Sequence, residues 1–193
     1  MKILSLIMLL MFLPLTTASL YTLGSHQVSF NVSEPFNSSA KLDPPLYSSE
    51  GSWTYTLNMT TDSQHGIMVK VDEFSFADYG RIWPSIFASL RAQSIKDLGI
   101  GGYKYSTMDF RGYPAYQDSY PAQIDLVSGK LIEQLETRYL AYEIDERTVV
   151  IVLAVGDNVP YQEILNTIEV TDAQKKPAKY APYIGPIDGN GSS

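Results

Sequence analysis

The sequence predicts an α+β fold, an antiparallel β-sheet in two meanders (βββα-βββα) covered by helices. Residues 149–155 are seven consecutive apolar residues between turn-forming segments, as in a strand buried on both faces. Shorter segments on either side alternate apolar and polar residues, which is the pattern of half-buried strands. Two stretches of helical period, residues 82–98 and 161–168, each follow a group of predicted strands.

The strands are predicted from alternation and from the turn residues that bound them. Residues 37–51 are rich in Ser and Pro, which indicates a long surface loop. Gly112 and Pro114 interrupt an aromatic segment, and a proline inside a strand indicates an edge or a bulge. The predicted strands cover residues 28–32, 53–59, 67–76, 108–120, 130–144 and 148–156.

Both predicted helices have recognisable ends. In residues 82–98, Pro84 occupies the first turn, where its missing N–H costs nothing, and Gly99 can cap the C-terminus. The apolar stripe of this helix consists of Trp83, Ile86, Phe87, Leu90 and Leu98. The helix at residues 161–168 begins after Pro160 and carries an apolar side that fits against a sheet.

Residues 1–19 have the pattern of a secretory signal peptide. Lys2 precedes an apolar stretch that ends at Leu15, and small residues allow cleavage after Ala18 or Ser19. The alternative is an uncleaved membrane anchor, although the apolar run is short for a span. We therefore expect a secreted or cell-envelope protein with a domain at residues 25–170 and a flexible tail at residues 171–193.

The composition limits the partners and the chemistry. The chain has no cysteine, which excludes disulfides, thiol nucleophiles and thiolate metal sites. Its net charge of −7 and the absence of a basic cluster argue against nucleic acid and anionic lipid as partners. We expect no cofactor and no membrane span after signal cleavage. The expected partner is an unidentified protein or glycan at the cell envelope.

No catalytic or metal-binding motif is present. The two histidines, His26 and His65, lie in polar segments and are predicted to be solvated rather than to serve a triad or a zinc site. A carboxylate pair of the glycosidase type stays open as an alternative. Its candidate residues are Asp72, Glu73, Glu133, Glu136, Glu143 and Asp145.

Four of the six asparagines occur in the N-glycosylation sequence Asn-x-Ser/Thr. With 32 Ser and Thr among 193 residues, about one such match is expected by chance. Coincidence in a Ser/Thr-rich chain is the alternative. The candidate acceptors are Asn31, Asn37, Asn58 and Asn190, and Asn37 and Asn190 are predicted to lie in loops.

An aromatic segment supplies a candidate partner surface at Tyr113, Tyr116 and Tyr120. Tyrosines on an edge strand offer a large contact area and a polar group. The alternative is ordinary packing of the sheet against a helix.

Residues 25–170 resemble the PsbP/Mog1-like fold group in element order. The resemblance is carried by the strand at 28–32, the 66–76 strand that leads into the first helix, the 112–116 segment, the 138–155 hairpin and the last helix. Members of this group are mostly non-catalytic accessory or binding proteins. The resemblance therefore implies an exported, non-catalytic binding or assembly module at the cell envelope, not an enzyme. A structural cell-surface protein is the alternative, followed by a carboxylate-based hydrolase.

Overall fold

The computed structural model describes residues 18–48, 51–75, 91–97, 99–124 and 131–172, and most of them lie in strands. The helical residues 91–97 are called α1 here. The other elements, in chain order, are β1 (Ser19–Leu23), β2 (His26–Phe30), the 3₁₀ turn η1 (Asn37–Ser39), β3 (Lys41–Leu42), β4 (Leu46–Tyr47), β5 (Ser52–Thr60), β6 (Gly66–Phe74), β7 (Lys104–Phe110), β8 (Tyr113–Ile124), β9 (Leu131–Asp145), β10 (Thr148–Val155), α2 (Tyr161–Thr167) and β11 (Glu169–Asp172).

The predicted central strand is confirmed. β10 lies between β6 and β9 and pairs antiparallel with both, within a main sheet ordered β3-β5-β6-β10-β9-β8-β7 in the described chain. Its side chains alternate between the two faces of the sheet. Val150 and Val152 are completely buried on one face, and Val149 is completely buried on the other. The uninterrupted apolar run thus fills two separate layers of packing.

The predicted α+β class with helices covering the sheet is wrong, because the described chain is mostly β and a second sheet forms the main cover. The strand predicted at residues 28–32, observed as β2, leaves the main sheet. It lies between β1 and β11 in a small three-stranded sheet. Val28 and Phe30 of β2 pack in one core with Val152 of the main sheet.

The side of the main sheet that faces the small sheet is called the first face. Its core also receives α2, whose predicted position is confirmed, through Ile164 and Leu165. Arg111, in the turn between β7 and β8, donates hydrogen bonds to the carbonyl oxygens of Leu165 and Ile168. Because carbonyls at a helix end lack partners within the helix, these bonds fix the end of α2 against the sheet.

The segment predicted as one interrupted strand at residues 108–120 belongs to two strands. Arg111 and Gly112 have φ values of 57° and 87° and form the two-residue turn that joins β7 to β8. Positive φ at both positions suits the turns that match the twist of a hairpin. The prediction that the strand with Pro114 is an edge is wrong, because β8 lies between β7 and β9, and β7 has β8 as its only paired neighbour in the described chain. Pro121 lies where the β8–β9 register shifts, so it interrupts no regular pairing.

The remaining predicted segments are described in part. Helix α1 covers residues 91–97 of the helix predicted at 82–98, and Gly99 after it has φ of 69°, as a C-terminal cap requires. Most of the predicted leader lies outside the described residues, and β1 begins at Ser19. β11 includes the first two residues of the predicted tail, and the rest of the tail lies outside. The loop predicted at residues 37–51 contains η1, β3 and β4.

Glu73, at the end of β6, connects the main sheet to the small sheet. Its Oε1 accepts hydrogen bonds from the backbone N and the Oγ of Ser25, both at 2.7 Å, and lies 3.1 Å from His26 Nδ1. His26 is buried, with Asp172 Oδ1 3.6 Å from its Nε2, so the prediction that it is solvated is wrong. A Cβ at Gly24 would lie only 2.4 Å from Glu73 Oε1, which explains the glycine there.

This contact predicts a dependence of stability on pH. Burial alone would raise the pKa of Glu73, but hydrogen bonds from His26 and Ser25 outweigh it and hold the pKa below the usual 4.5. A carboxylate with a lowered folded-state pKa stabilises the fold above its unfolded pKa, and this is lost as the pH falls through the folded value. We expect Glu73→Gln to unfold more easily at pH 7 and to lose less stability than wild type below about pH 4.5.

Urea unfolding between pH 3 and pH 7 measures this difference. Glu169→Gln is the matched control, because Glu169 is exposed on β11. The account of Glu73 is wrong if both variants show the acid sensitivity of the wild type.

Candidate functional site

The opposite side of the main sheet, called the second face, contains a buried ion pair. Arg91 on α1 donates hydrogen bonds from Nε and Nη2 to the two carboxylate oxygens of Asp118 on β8, the second at 3.1 Å. The Asp118 side chain has no solvent exposure, and that of Arg91 is 19% exposed. Such a two-bond contact fixes the position and the plane of the guanidinium group. It therefore holds α1 against the sheet in one orientation.

Tyrosines surround this ion pair. Tyr116 donates its hydroxyl hydrogen to Asp118 at 3.0 Å, and Tyr103 and Tyr116 share a hydrogen bond. The Arg91 guanidinium lies 4.2 Å from the ring centre of Tyr139, as in a cation–π contact. Burial raises the pKa of Tyr116 and of Tyr139, so both phenols are neutral at physiological pH. The cluster combines one internal ion pair with neutral aromatic rings.

A cavity of about 450 Å³ opens beside the ion pair on the second face. We call it the Arg91 cavity. Its apolar lining comes from the sheet, and the β5–β6 hairpin forms its rim. It is lined by Arg91, Tyr120, Tyr139, Met68, Leu153, Val155, Thr137, Asn58 and residues 62–65, among others. This volume lies within the range of ordinary small-molecule sites, about 300–1,000 Å³.

The β5–β6 hairpin at the rim is internally tied. Asp62 Oδ1 accepts hydrogen bonds from the backbone N of Gln64 and of His65, and the Asp62 carboxylate lies 3.0 Å from His65 Nδ1. These bonds, the one from Gln64 first, lower the pKa of Asp62. Gly156 packs beneath, where a Cβ would lie 2.5 Å from the His65 ring. The predicted solvated histidine is thus half-buried at the rim, paired with Asp62.

The three tyrosines of the predicted partner surface do not share a surface. Tyr116 and Tyr120 are buried on the second face, where Tyr120 packs with Ile95 of α1. Tyr113 lies on the first face beside Tyr142 and is 38% exposed. A joint partner surface is therefore wrong, and the packing alternative holds for Tyr116 and Tyr120. Because all three residues lie on β8, the period of two along a strand places Tyr113 on the face opposite to Tyr116 and Tyr120.

The candidate glycosylation sites differ in their surroundings, and their use stays a prediction. Asn31 has a buried Oδ1 without a hydrogen-bond partner in the described chain. Asn37 begins η1 and donates from Nδ2 to Glu34 at 3.3 Å. Asn58 donates from Nδ2 to Asp43 and lines the Arg91 cavity, so a glycan there would stand at its mouth. Asn190 lies outside the described residues.

The two buried aspartates of the second face are not a catalytic pair. Asp72 accepts a hydrogen bond from Thr54 and lies 3.8 Å from Lys70, while Asp118 is held by Arg91. β10 and β9 separate their strands, so three strand spacings place them about 14 Å apart or more. A glycosidase pair needs carboxyl groups about 5–9.5 Å apart.

The described chain lacks a metal-binding cluster and a membrane-spanning helix. It contains no group of three His, Asp or Glu residues placed to hold a metal ion. None of its helices combines the length and the apolar character that a membrane crossing requires. The Arg91 cavity could not be predicted from the sequence, because Arg91, Asp118 and β10 are far apart in the chain and no local pattern connects them.

Comparison with known proteins does not assign the chain to a family. No family model and no curated protein matches it. Among solved structures, it is similar to the crystal structure of PA94, a Pseudomonas aeruginosa protein of unknown function. The identity is 14% over 73% of this chain and 83% of that chain, with a TM-score of 0.34. A likeness at that score carries no argument, and the resemblance to the PsbP/Mog1-like group stays a prediction.

Proposed function

We propose that this protein is an exported, non-catalytic binding protein that holds a small, largely apolar molecule in the Arg91 cavity. The observation that carries the proposal is the cavity itself, in which β-sheet side chains form an apolar lining beside an oriented guanidinium group. Concave, mainly apolar sites with a few placed polar groups are the usual form of small-molecule sites. The predicted signal peptide supports the export part of the proposal.

The charge of the cavity favours an uncharged ligand. Asp118 already neutralises Arg91, and the neighbouring Tyr139 is neutral. A second carboxylate would meet no uncompensated positive charge there and would lose its hydration. Arg91 bonds Asp118 through Nε and Nη2, so Nη1 can donate its hydrogen to a ligand carbonyl or hydroxyl oxygen. The proposed ligand is therefore an apolar body with one neutral oxygen acceptor.

Binding of a neutral fluorescent probe, N-phenyl-1-naphthylamine, tests the proposal. The half-buried Leu153 lies in the apolar lining, so Leu153→Trp should fill the cavity without disturbing the core. We expect the variant to bind the probe about tenfold more weakly or worse, a loss of at least ~1.4 kcal/mol.

Leu46→Trp is the matched control, since it makes the same substitution at a leucine that is 66% exposed on β4. This control should bind the probe as the wild type does. Equal binding by the wild type and Leu153→Trp would contradict the proposal, as would the absence of any saturable binding by the wild type.

A further inference from the structure

A second cavity, of about 300 Å³, lies on the first face beside α2. We call it the Lys104 cavity. Lys104, Ser119 and Arg138 stand opposite one another on β7, β8 and β9, in a cross-strand row whose next member is the core residue Ala154. Two strand spacings place the Lys104 and Arg138 backbones about 10 Å apart. The side chains of the neighbouring row, which includes Asp118, lie on the second face. The Lys104 cavity and the Arg91 cavity are therefore on opposite sides of the sheet.

A tyrosine hydroxyl group lies at the wall of this cavity. Tyr161, the first residue of α2, is only 7% exposed and lines the cavity. Its hydroxyl makes no hydrogen bond within the described part of the chain. This oxygen is not among the fully buried polar atoms of the described chain that lack a partner, so water in the cavity reaches it. The hydroxyl is therefore a free hydrogen-bond donor at the wall of this cavity.

Arg138 supplies a second incompletely used donor group. Its guanidinium lies 5.4 Å from the ring centre of Tyr161, and its buried Nε has no hydrogen-bond partner in the described chain. Glu136 Oε2 is 3.6 Å from this Nε, which is an ion-pair distance but too long for a hydrogen bond. Nη2 makes one long bond, of 3.5 Å, to the Gly156 carbonyl oxygen.

The local charge is positive although the whole chain is negative. Two basic side chains, Lys104 and Arg138, line the cavity. Glu136 is the one acidic side chain of the lining that is open to the cavity. Asp118 also belongs to the lining, but its side chain is enclosed with Arg91 on the second face. No carboxylate of the described chain lies within 4 Å of the Lys104 ammonium group. Lysine and arginine can only donate hydrogen bonds, so they select a ligand that accepts them. Neutral polar side chains, Ser106, Gln117 and Ser119, complete the lining.

We propose that the Lys104 cavity binds a small polyhydroxylated carboxylate, of the size and chemistry of a uronic acid. The carboxylate pairs with Lys104 and Arg138, since charge-assisted bonds of this kind are the strong ones. The sugar hydroxyls exchange hydrogen bonds with Ser106, Gln117 and Ser119, and one ligand oxygen accepts from Tyr161. The cavity volume is at the lower end of the range for small-molecule sites, as expected for one sugar unit.

Isothermal titration with sodium glucuronate tests this proposal, with glucose, glucuronate methyl ester and inorganic phosphate as comparison ligands. We expect saturable binding of glucuronate and binding at least about tenfold weaker for glucose and the ester, which lack the charge. Glucuronate should not displace N-phenyl-1-naphthylamine, because that probe reports the Arg91 cavity. The glucuronate titration and the probe assay therefore test the two proposed binding sites separately.

Two variants assign the binding to the cavity. Tyr161→Phe keeps the buried ring and removes the unpartnered hydroxyl, so it should weaken glucuronate binding while the unfolding midpoint stays equal or rises. Lys104→Met should weaken binding more strongly, and Lys41→Met, at an exposed position on β3, should leave it unchanged.

Any one of four results would overturn the proposal. Three of them are the absence of saturable glucuronate binding, equal binding of the neutral comparison ligands, and wild-type affinity in both Tyr161→Phe and Lys104→Met. Binding of phosphate as tight as that of glucuronate would also overturn it, because a site for any anion does not recognise a sugar acid.

Discussion

Replacing Asp118 by asparagine is expected to lower the free energy of unfolding by about 3–5 kcal/mol. The substitution keeps the shape of the side chain but removes its charge, which leaves the Arg91 guanidinium largely buried without a counter-charge. It also weakens the bond from Tyr116, whose hydroxyl donates to the same carboxylate. Small domains are stable by only about 5–15 kcal/mol, so this loss is large.

Urea unfolding measures the effect of Asp118→Asn against Asp157→Asn, which makes the same change at an exposed position after β10. The double variant Arg91→Met/Asp118→Leu should recover most of the stability, because it removes both charges together. A loss below about 1 kcal/mol in Asp118→Asn would mean that the pair behaves as a solvent-exposed one. In that case Arg91 would not fix α1 at the cavity.

Placing a carboxylate at the centre of β10 is expected to prevent folding. Val152 is completely buried on the first face, in the same core as Val28 and Phe30 of the small sheet. Asp at this position would have no cation and no hydrogen-bond donor beside it, and an isolated buried carboxylate costs several kcal/mol. The loss is comparable with the whole stability of a small domain.

Circular dichroism and one-dimensional NMR of Val152→Asp check this expectation. Leu46→Asp is the control, because it also replaces an aliphatic side chain by aspartate, at a residue that is 66% exposed. The control should give the dispersed spectrum of the wild type. A folded Val152→Asp protein would contradict the central position of β10 between two packed layers.

The elements that could be predicted are those whose pattern is local. β10 is visible because it needs apolar residues on both faces, and β5 is visible because apolar and polar residues alternate along it. Helix α2 follows Pro160 and shows helical spacing, so its limits were predicted within one residue. These signals need no knowledge of what packs against the element.

The small sheet could not be predicted, because its pairing depends on residues far apart in sequence. β1 and β11 are only five and four residues long, and both pair with β2. When β1 and β11 are not recognised, β2 is assigned to the main sheet, and helices are then the only elements left to cover the faces of that sheet. The buried state of His26 follows from the same pairing, since Glu73 and Asp172 surround it only after the sheets meet.

The candidate site was found only in part. Sequence analysis singled out Tyr116 and Tyr120, which do belong to the wall around Arg91, but it assigned them to a surface. An aspartate at position 118, between these aromatic residues and on the same strand face, was the available signal, because a buried carboxylate requires a cation. The sequence alone does not identify Arg91 as that cation.

The most direct test of the proposed binding function is a set of intermolecular nuclear Overhauser effects between bound N-phenyl-1-naphthylamine and the protein methyl groups. We expect contacts to the methyls of Met68, Leu153 and Val155, which line the Arg91 cavity on the second face. Contacts to methyls of the exposed Leu42 and Leu46 instead would show that the probe binds a surface patch, and would contradict the assignment of this cavity as the ligand site.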